Sequence, residues 1–221
     1  MKLLDRRWLP LAFIAGAYAF SLAVYARLPE RIPSHWNAAG QVDGWSSRAL
    51  GAFLMPTVAL GIWLLFLVLP RIDPRRANYA RFGSTYSLVV AAVILFQVAI
   101  HVLVLGAALG WPIAIDTVMI VGIGLLFLLL GNVLPRVRPN WFIGIRTPWT
   151  LSSDRAWEKT HRVGGYLFSA AGLVVIAAAA LPAAWRVWVI MAALATSTLG
   201  TVVYSYFAWR QDTAGSSRQA T

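Results

Sequence analysis

The sequence predicts an all-α polytopic membrane protein with six transmembrane helices and both termini in the cytoplasm. Three observations carry this reading. The chain has 221 residues, of which 59% are hydrophobic and only 12% charged, where a soluble domain carries about 25% charged residues. Its mean hydropathy is +0.68, and its apolar residues fall in runs of about 20, the length that crosses about 30 Å of hydrocarbon. The basic residues between these runs are distributed unequally, which fixes an orientation.

The elements follow in order. A basic tail, Met1–Arg7, precedes span one at about Trp8–Ala26. No small-residue cleavage site follows this run, so it reads as a retained span and not a signal peptide. A polar loop, 27–48, leads to span two at about Ala49–Leu69, which ends at Pro70 because proline cannot continue a helix. A basic loop, Arg71–Ser84, precedes span three at about Thr85–Leu109. The turn Gly110-Trp111-Pro112 connects it to span four at about Ile113–Leu134. A long polar segment follows, then span five at about Gly164–Leu181, a short turn at Pro182–Arg186, span six at about Val187–Trp209, and a Gly/Ser tail.

This threading puts 15 of the 19 Lys and Arg residues on the side of the termini and 4 on the other, so the termini are expected inside. It divides the chain into an N-terminal three-helix half, 1–109, with an outer loop at 27–48, and a C-terminal three-helix half, 110–221, with a cytoplasmic loop at 135–163. Trp8, Trp111, Trp185, Trp188 and Trp209 stand at span ends, where interfacial aromatics belong. A Leu-Pro-x-x-x-Pro pattern recurs at Leu28–Pro33, Leu69–Pro74 and Leu134–Pro139. It reads as proline stopping helices that leave the bilayer. The first and third copies also fit an inverted repeat, although the remaining loops do not match in length.

Composition excludes several classes. The chain has no cysteine, which removes disulfides, thiolate metal sites and a cysteine nucleophile. The net charge of +11 sits between apolar spans, so it speaks for topology and anionic lipid headgroups and not for nucleic acid. No phosphate loop, HExxH or dinucleotide fingerprint occurs, no nucleophile–base–orienter set is visible, and no cofactor is expected.

Two polar stretches carry the candidate chemistry. The outer one reads RLPERIPSHWNAAGQVDGWSSR. Its prolines and glycines make it a turn-rich excursion, with His35, Trp36 and Asn37 as a polar-aromatic cluster and Asp43-Gly44 as a turn signal. A metal reading would use His35 with Asp43 or Glu30, but zinc usually takes three or four protein ligands, so no metal is expected. The inner stretch, Gly131–Gly165, reads GNVLPRVRPNWFIGIRTPWTLSSDRAWEKTHRVGG. Pro135, Pro139 and Pro148 break any continuous helix, and Gly144–Trp149 should be extended or turned. Ser152 or Ser153 can cap a helix that begins near Asp154 and runs into span five. On it Trp157 and His161 share a face, and Glu158 and Arg162 make an i,i+4 pair. Arg136, Arg138, Arg146, Lys159 and Arg162 can surround an anion, or form a basic collar on lipid phosphates. The collar does not account for Asn140, Thr147, Trp149, Thr160 and His161 so close together. Within the spans, Gln97 and His101 share a face that should point into the bundle and make an interhelical hydrogen bond. Asp116 should be solvated near the outer end of span four, and Thr196, Ser197, Thr198, Gly200 and Thr201 suit close packing on span six.

At these two stretches the sequence resembles the SdpI family. LPERIPSHWNAAGQVDGWSSR resembles the domain of unknown function at the N-terminus of SdpI-type proteins, and Gly131–Gly165 resembles the C-terminal signature of the same family. The resemblance implies a six-span protein of the bacterial cytoplasmic membrane that confers immunity to a secreted, membrane-active peptide toxin and possesses a signalling role toward a cytoplasmic repressor. It points to His35, Trp36, Asn37, Gly40, Asp43 and Gly44 outside, and to Asn132, Pro135, Pro139, Asn140, Gly144, Arg146, Thr147, Trp149, Trp157, Thr160, His161 and Arg162 inside, and it supplies no catalytic residue. The expected function is therefore a non-enzymatic immunity or sensor protein. The alternatives are a transporter or anionic-lipid-binding protein using Arg146, Lys159 and Arg162 with Gln97 and His101 on the path, and an enzyme using His161 or His35 as its acid–base group.

Overall fold

Six helices long and apolar enough to cross a membrane occur among the described residues, in a computed structural model that describes residues 8–37 and 40–219. They are α1 (Leu9–Val24), α2 (Arg48–Ile72), α3 (Tyr79–Ala108), α4 (Ile115–Val133), α6 (Asp154–Ala178) and α7 (Ala183–Gln219), with a short α5 (Pro148–Ser152) before α6. The chain is an all-α polytopic membrane protein. The N-terminal tail with Lys2, Arg6 and Arg7 lies outside the described residues.

Several boundaries differ from the sequence expectation, each for a local reason. Helix α2 continues past Pro70 to Ile72, and Asp73 N still donates to Leu69 O at 3.1 Å. Proline so near a C-terminus removes one amide donor but leaves few later bonds to lose. Helix α3 starts at Tyr79, six residues earlier than expected, and bends at Phe82 (φ −137°, ψ 23°). Helix α7 runs on through the expected Gly/Ser tail. The outer stretch contains a two-stranded antiparallel hairpin, β1 (Arg31–Trp36) and β2 (Val42–Ser47), with a bulge around His35.

Two compact units are distinguishable: residues 1–68 with 87–122, and residues 69–86 with 123–221. In the first, Val24, Leu28, Ile32, Ala52 and Leu105 form a buried core. The fully buried Ser21 hydroxyl donates to Ala52 O at 2.6 Å and meets His101 Nε2 at 2.8 Å. Because the serine proton is committed to the carbonyl, the imidazole donates from Nε2. This is the interhelical bond expected of His101, and it joins α1, α2 and α3. Just past the end of helix α3 stands Gly110, whose φ of +78° suits a residue without Cβ. Trp111 then folds back onto Gly106, so close that a side chain there would strike the indole.

In the second unit, α4 and α6 run antiparallel with their backbones in contact. A Cβ built on Gly131 would lie 2.7 Å from Gly165 O, and one on Gly165 would lie 2.8 Å from Gly131 O. Two turns away the same happens between Gly124 and Gly172, at 2.8 and 2.6 Å. Lipid tails give helices no hydrophobic reason to associate, so close backbone approach supplies the dispersion contact instead. Helix α7 packs on α6 with Thr201 against Gly164, and its Ser197, Thr201 and Ser205 are all buried. They repeat every four residues, so they share one face. Thr196 and Thr198, also expected at this contact, are exposed.

These contacts predict opposite signs for two kinds of glycine. Gly131→Val or Gly172→Val should destabilise the protein by about 1–3 kcal/mol, since the obstructing atoms are backbone and cannot swing away. Gly61→Ala, which meets nothing within 4 Å, should be neutral or stabilising by up to about 1 kcal/mol. Thermal unfolding in detergent measures both.

Candidate functional site

The inner segment is held from within. Helix α4 closes in a 3-10 turn, Leu134–Arg136. Asn140 then turns its buried amide back onto the loop. Its Oδ1 accepts from Phe142 N at 2.9 Å and Ile143 N at 2.6 Å, and its Nδ2 donates to Arg138 O at 2.9 Å and Ile143 O at 2.8 Å. Both ends of the amide are thus spent on the backbone. Gly144 has a φ of +112° and faces the His161 ring so closely that a Cβ would clash, so only glycine fits without strain. Thr147 caps α5 in a reciprocal box with Thr150, Pro148 opens the first turn, and the Thr147 hydroxyl also meets Ser205 Oγ on α7 at 3.0 Å.

Helix α6 supplies the floor. Ser153 caps it by accepting from Ala156 N, as expected of a serine before Asp154. Trp157 and His161, one turn apart, stack with centroids 4.1 Å apart. Trp157 Nε1 donates to Val137 O at 2.9 Å, and His161 Nδ1 donates to Trp157 O at 2.9 Å. His161 Nε2 accepts from Ile145 N at 3.0 Å. One nitrogen donating and the other accepting defines a neutral imidazole with its tautomer set. Both residues are buried and reach the loop backbone. Thr160 is buried too, and its hydroxyl has no partner among the described residues.

The residues that sequence reasoning missed lie between α2 and α3. Asp73 is buried, and its carboxylate accepts from Arg75 N at 2.7 Å, Tyr79 Oη at 2.9 Å and Trp141 N at 3.0 Å. Arg75 reaches Asp154 at 2.7 Å and Leu151 O at 3.0 Å, and Asn78 Nδ2 donates to Pro139 O at 2.7 Å. A lone carboxylate in the cationic run RIDPRR was the available signal. Tyr79, Phe82, Val137 and Trp157 pack beneath these bonds.

The basic residues divide into groups. Arg138 pairs with Glu158 at 3.3 Å, which replaces the expected Glu158–Arg162 pair. Lys159 Nζ reaches Gln211 at 3.5 Å, and Arg136 folds onto Asn132. Arg146 is exposed and donates to Trp141 O at 2.8 Å, and Arg162 is exposed. Trp149 is half-buried and meets Tyr206 edge-on at 5.3 Å.

The outer stretch has the opposite character. Its base is tied down: Ile32 is fully buried, Arg48 N donates to Glu30 O at 2.9 Å, and the Arg48 guanidinium reaches Pro29 O at 3.3 Å. Its turn is organised by Asn37, whose Oδ1 accepts from Gln41 N at 3.0 Å, with Gly40 at φ +76°. The chemistry faces out. His35 Nδ1 lies 2.5 Å from Asp43 Oδ1, the side chains 71% and 44% exposed, and Trp45 is 55% exposed. Trp36 is half-buried. Gly44 stands opposite His35, where a Cβ would come within 2.8 Å of the His35 Cβ. Asp116, expected in solvent, is half-buried and lies against Gly40. Among the described residues no three metal-ligating side chains converge.

Asp73 should dominate the integrity of the inner segment. Asp73→Ala strips the acceptor from three donors, each costing about 1–3 kcal/mol when left buried and unpaired. Faster amide exchange across Trp141–Ile145 is expected, with Asp73→Asn intermediate because it keeps one acceptor oxygen. Hydrogen-exchange mass spectrometry of the purified protein reads this, with the hairpin amides as the unchanged reference.

Comparison with known proteins returns to the same two stretches. Residues 136–205 match the SdpI/YfhL protein family, and residues 12–60 match a domain of unknown function, DUF1648. The chain is similar to Immunity protein SdpI of Bacillus subtilis (strain 168), 24% identical over 165 residues that cover 75% of this chain and 77% of that protein. No solved structure matches. The inner segment with the helices around it is thus similar to the SdpI/YfhL family, and the hairpin with the helices that flank it is similar to DUF1648.

Proposed function

We propose that this protein is an immunity or sensor protein of the bacterial cytoplasmic membrane, which meets a secreted membrane-active peptide at its hairpin and carries the response at its inner segment. The observation that carries this reading is the build of the hairpin. Its anchors and turn are internally satisfied, while the His35–Asp43 pair and Trp45 stay exposed. A fixed frame with an outward polar-aromatic face suits recognition, because little ordering entropy remains to be lost on binding. Similarity to an immunity protein over three quarters of the chain supports the same reading. The charge bias of the loops supports a hairpin outside and a basic segment inside. A cytoplasmic repressor is the kind of partner that the inner surface would serve.

Two measurements test it. The first concerns sidedness, and the cysteine-free sequence gives a clean background. Ser47→Cys, exposed on β2, should react with a membrane-impermeant maleimide in intact cells, and Ser152→Cys, exposed at the end of α5, only after permeabilisation. Labelling of both from one side would refute the arrangement. The second is protection. Expression in a toxin-sensitive strain should raise survival, and His35→Ala or Trp45→Ala should abolish the gain at unchanged membrane abundance. Survival at the level of the empty vector would refute the immunity reading.

A further inference from the structure

We infer that the corner formed by Trp141 and Arg146 is a binding site for the phosphate of an anionic phospholipid headgroup. The backbone of this corner is pinned on both sides. Trp141 N is held by the Asp73 carboxylate, and Trp141 O is held by Arg146 Nη1. Arg146 has five N–H donors and spends one on that carbonyl, so the guanidinium is oriented, and among the described residues its remaining donors are open. Its side chain and that of Trp141, 47% exposed, face out of a segment in which Asn140, Thr147 and Thr150 are buried.

Charge complementarity selects the ligand. This unit contains four carboxylates, and each is engaged elsewhere: Asp73 with its three donors, Asp154 with Arg75, Glu158 with Arg138, and Asp212 with Ser153 and Arg155. Among the described residues of this unit, no carboxylate therefore neutralises Arg146. Arginine matches a phosphate with two parallel N–H···O bonds. The corner lies in the chain between α4 and α6, both long and apolar enough to cross a bilayer, and an exposed tryptophan beside such helices suits the headgroup region. A lipid phosphate is therefore the anion within reach. This site is independent of the immunity reading, since lipid binding is read on purified protein with no toxin present.

The test uses the full-length protein in nanodiscs of phosphatidylcholine mixed with phosphatidylglycerol. Lipid retained after detergent extraction is counted by native mass spectrometry. Wild type should retain phosphatidylglycerol selectively. Arg146→Gln should lower that retention about tenfold, the effect of one bidentate charge-assisted contact. Arg210→Gln, which alters another exposed arginine of the same unit, should leave it unchanged. Unaltered retention in Arg146→Gln overturns the site, and equal losses in both variants overturn it in favour of a diffuse basic collar. Displacement of the lipid by inorganic phosphate reassigns the corner to soluble anions and overturns the lipid proposal. Where Arg146→Gln fails to fold, Arg146→Lys decides. It keeps the charge but not the fork, so retention should fall, and wild-type retention overturns the site.

Discussion

Asp73 takes hydrogen bonds from Arg75 N, Tyr79 Oη and Trp141 N while almost wholly buried. A buried carboxylate is tolerable only where donors replace the water it has lost. The converse matters more here. The donors to Asp73 come from the loop between α2 and α3, the first residue of α3 and the segment after α4, so the carboxylate ties these stretches together. Arg75 and Asn78 strengthen the link by reaching Leu151 O, Asp154 and Pro139 O. Irregular backbone near a bilayer must find its partners within the protein, and this cluster supplies them for Pro139 O, Trp141 N and Leu151 O. The exposed corner at Trp141 and Arg146 inherits its geometry from it.

The helices beneath obey a different constraint. Water-driven burial cannot press α4 against α6 in lipid, so the sequence removes side chains where contact is wanted. Gly124, Gly131, Gly165 and Gly172 let backbone meet backbone, and each pair is spaced seven residues apart, two helical turns. Packing of α7 against α6 uses hydroxyls instead. Thr201 returns its hydroxyl to Ser197 O at 2.7 Å, and Ser205 returns its own to Val202 O at 2.6 Å. A hydroxyl that bonds its own helix carries no unsatisfied donor into the interface, which makes small polar residues suitable for a lipid-buried contact.

The six apolar helices were legible because length and hydropathy are local properties of a segment. So were the Ser153 cap and the shared face of Trp157 and His161, which depend only on helical spacing. Direction was not legible. Asn140, Thr147 and His161 read as ligand-binding groups because they are polar and clustered, yet each spends its polar atoms on nearby protein atoms. Sequence reveals that a group must be satisfied, but not by what. The His35–Asp43 contact depends on a hairpin register and a bulge that period-two patterning does not give. Asp73 escaped notice because its partner Trp141 lies 68 residues away.

This division between inward and outward groups determines what a substitution can report. Replacing Asn140, Thr147, Trp157 or His161 removes a bond that shapes the inner segment, so any lost activity would pass through folding. Their polarity is therefore poor evidence of ligand contact, however suggestive it looks in the sequence. His35, Asp43, Trp45, Trp141 and Arg146 differ because their outward atoms lie beyond the packed interior. The hairpin shows the same logic at smaller scale: Asn37 and Gly40 serve the turn, whereas His35 and Asp43 serve the surface. The physical warrant for a recognition role here rests on exposure combined with a fixed backbone. That combination holds at the outer strand pair and at the Trp141–Arg146 corner, and it fails at most of the polar residues that first draw attention.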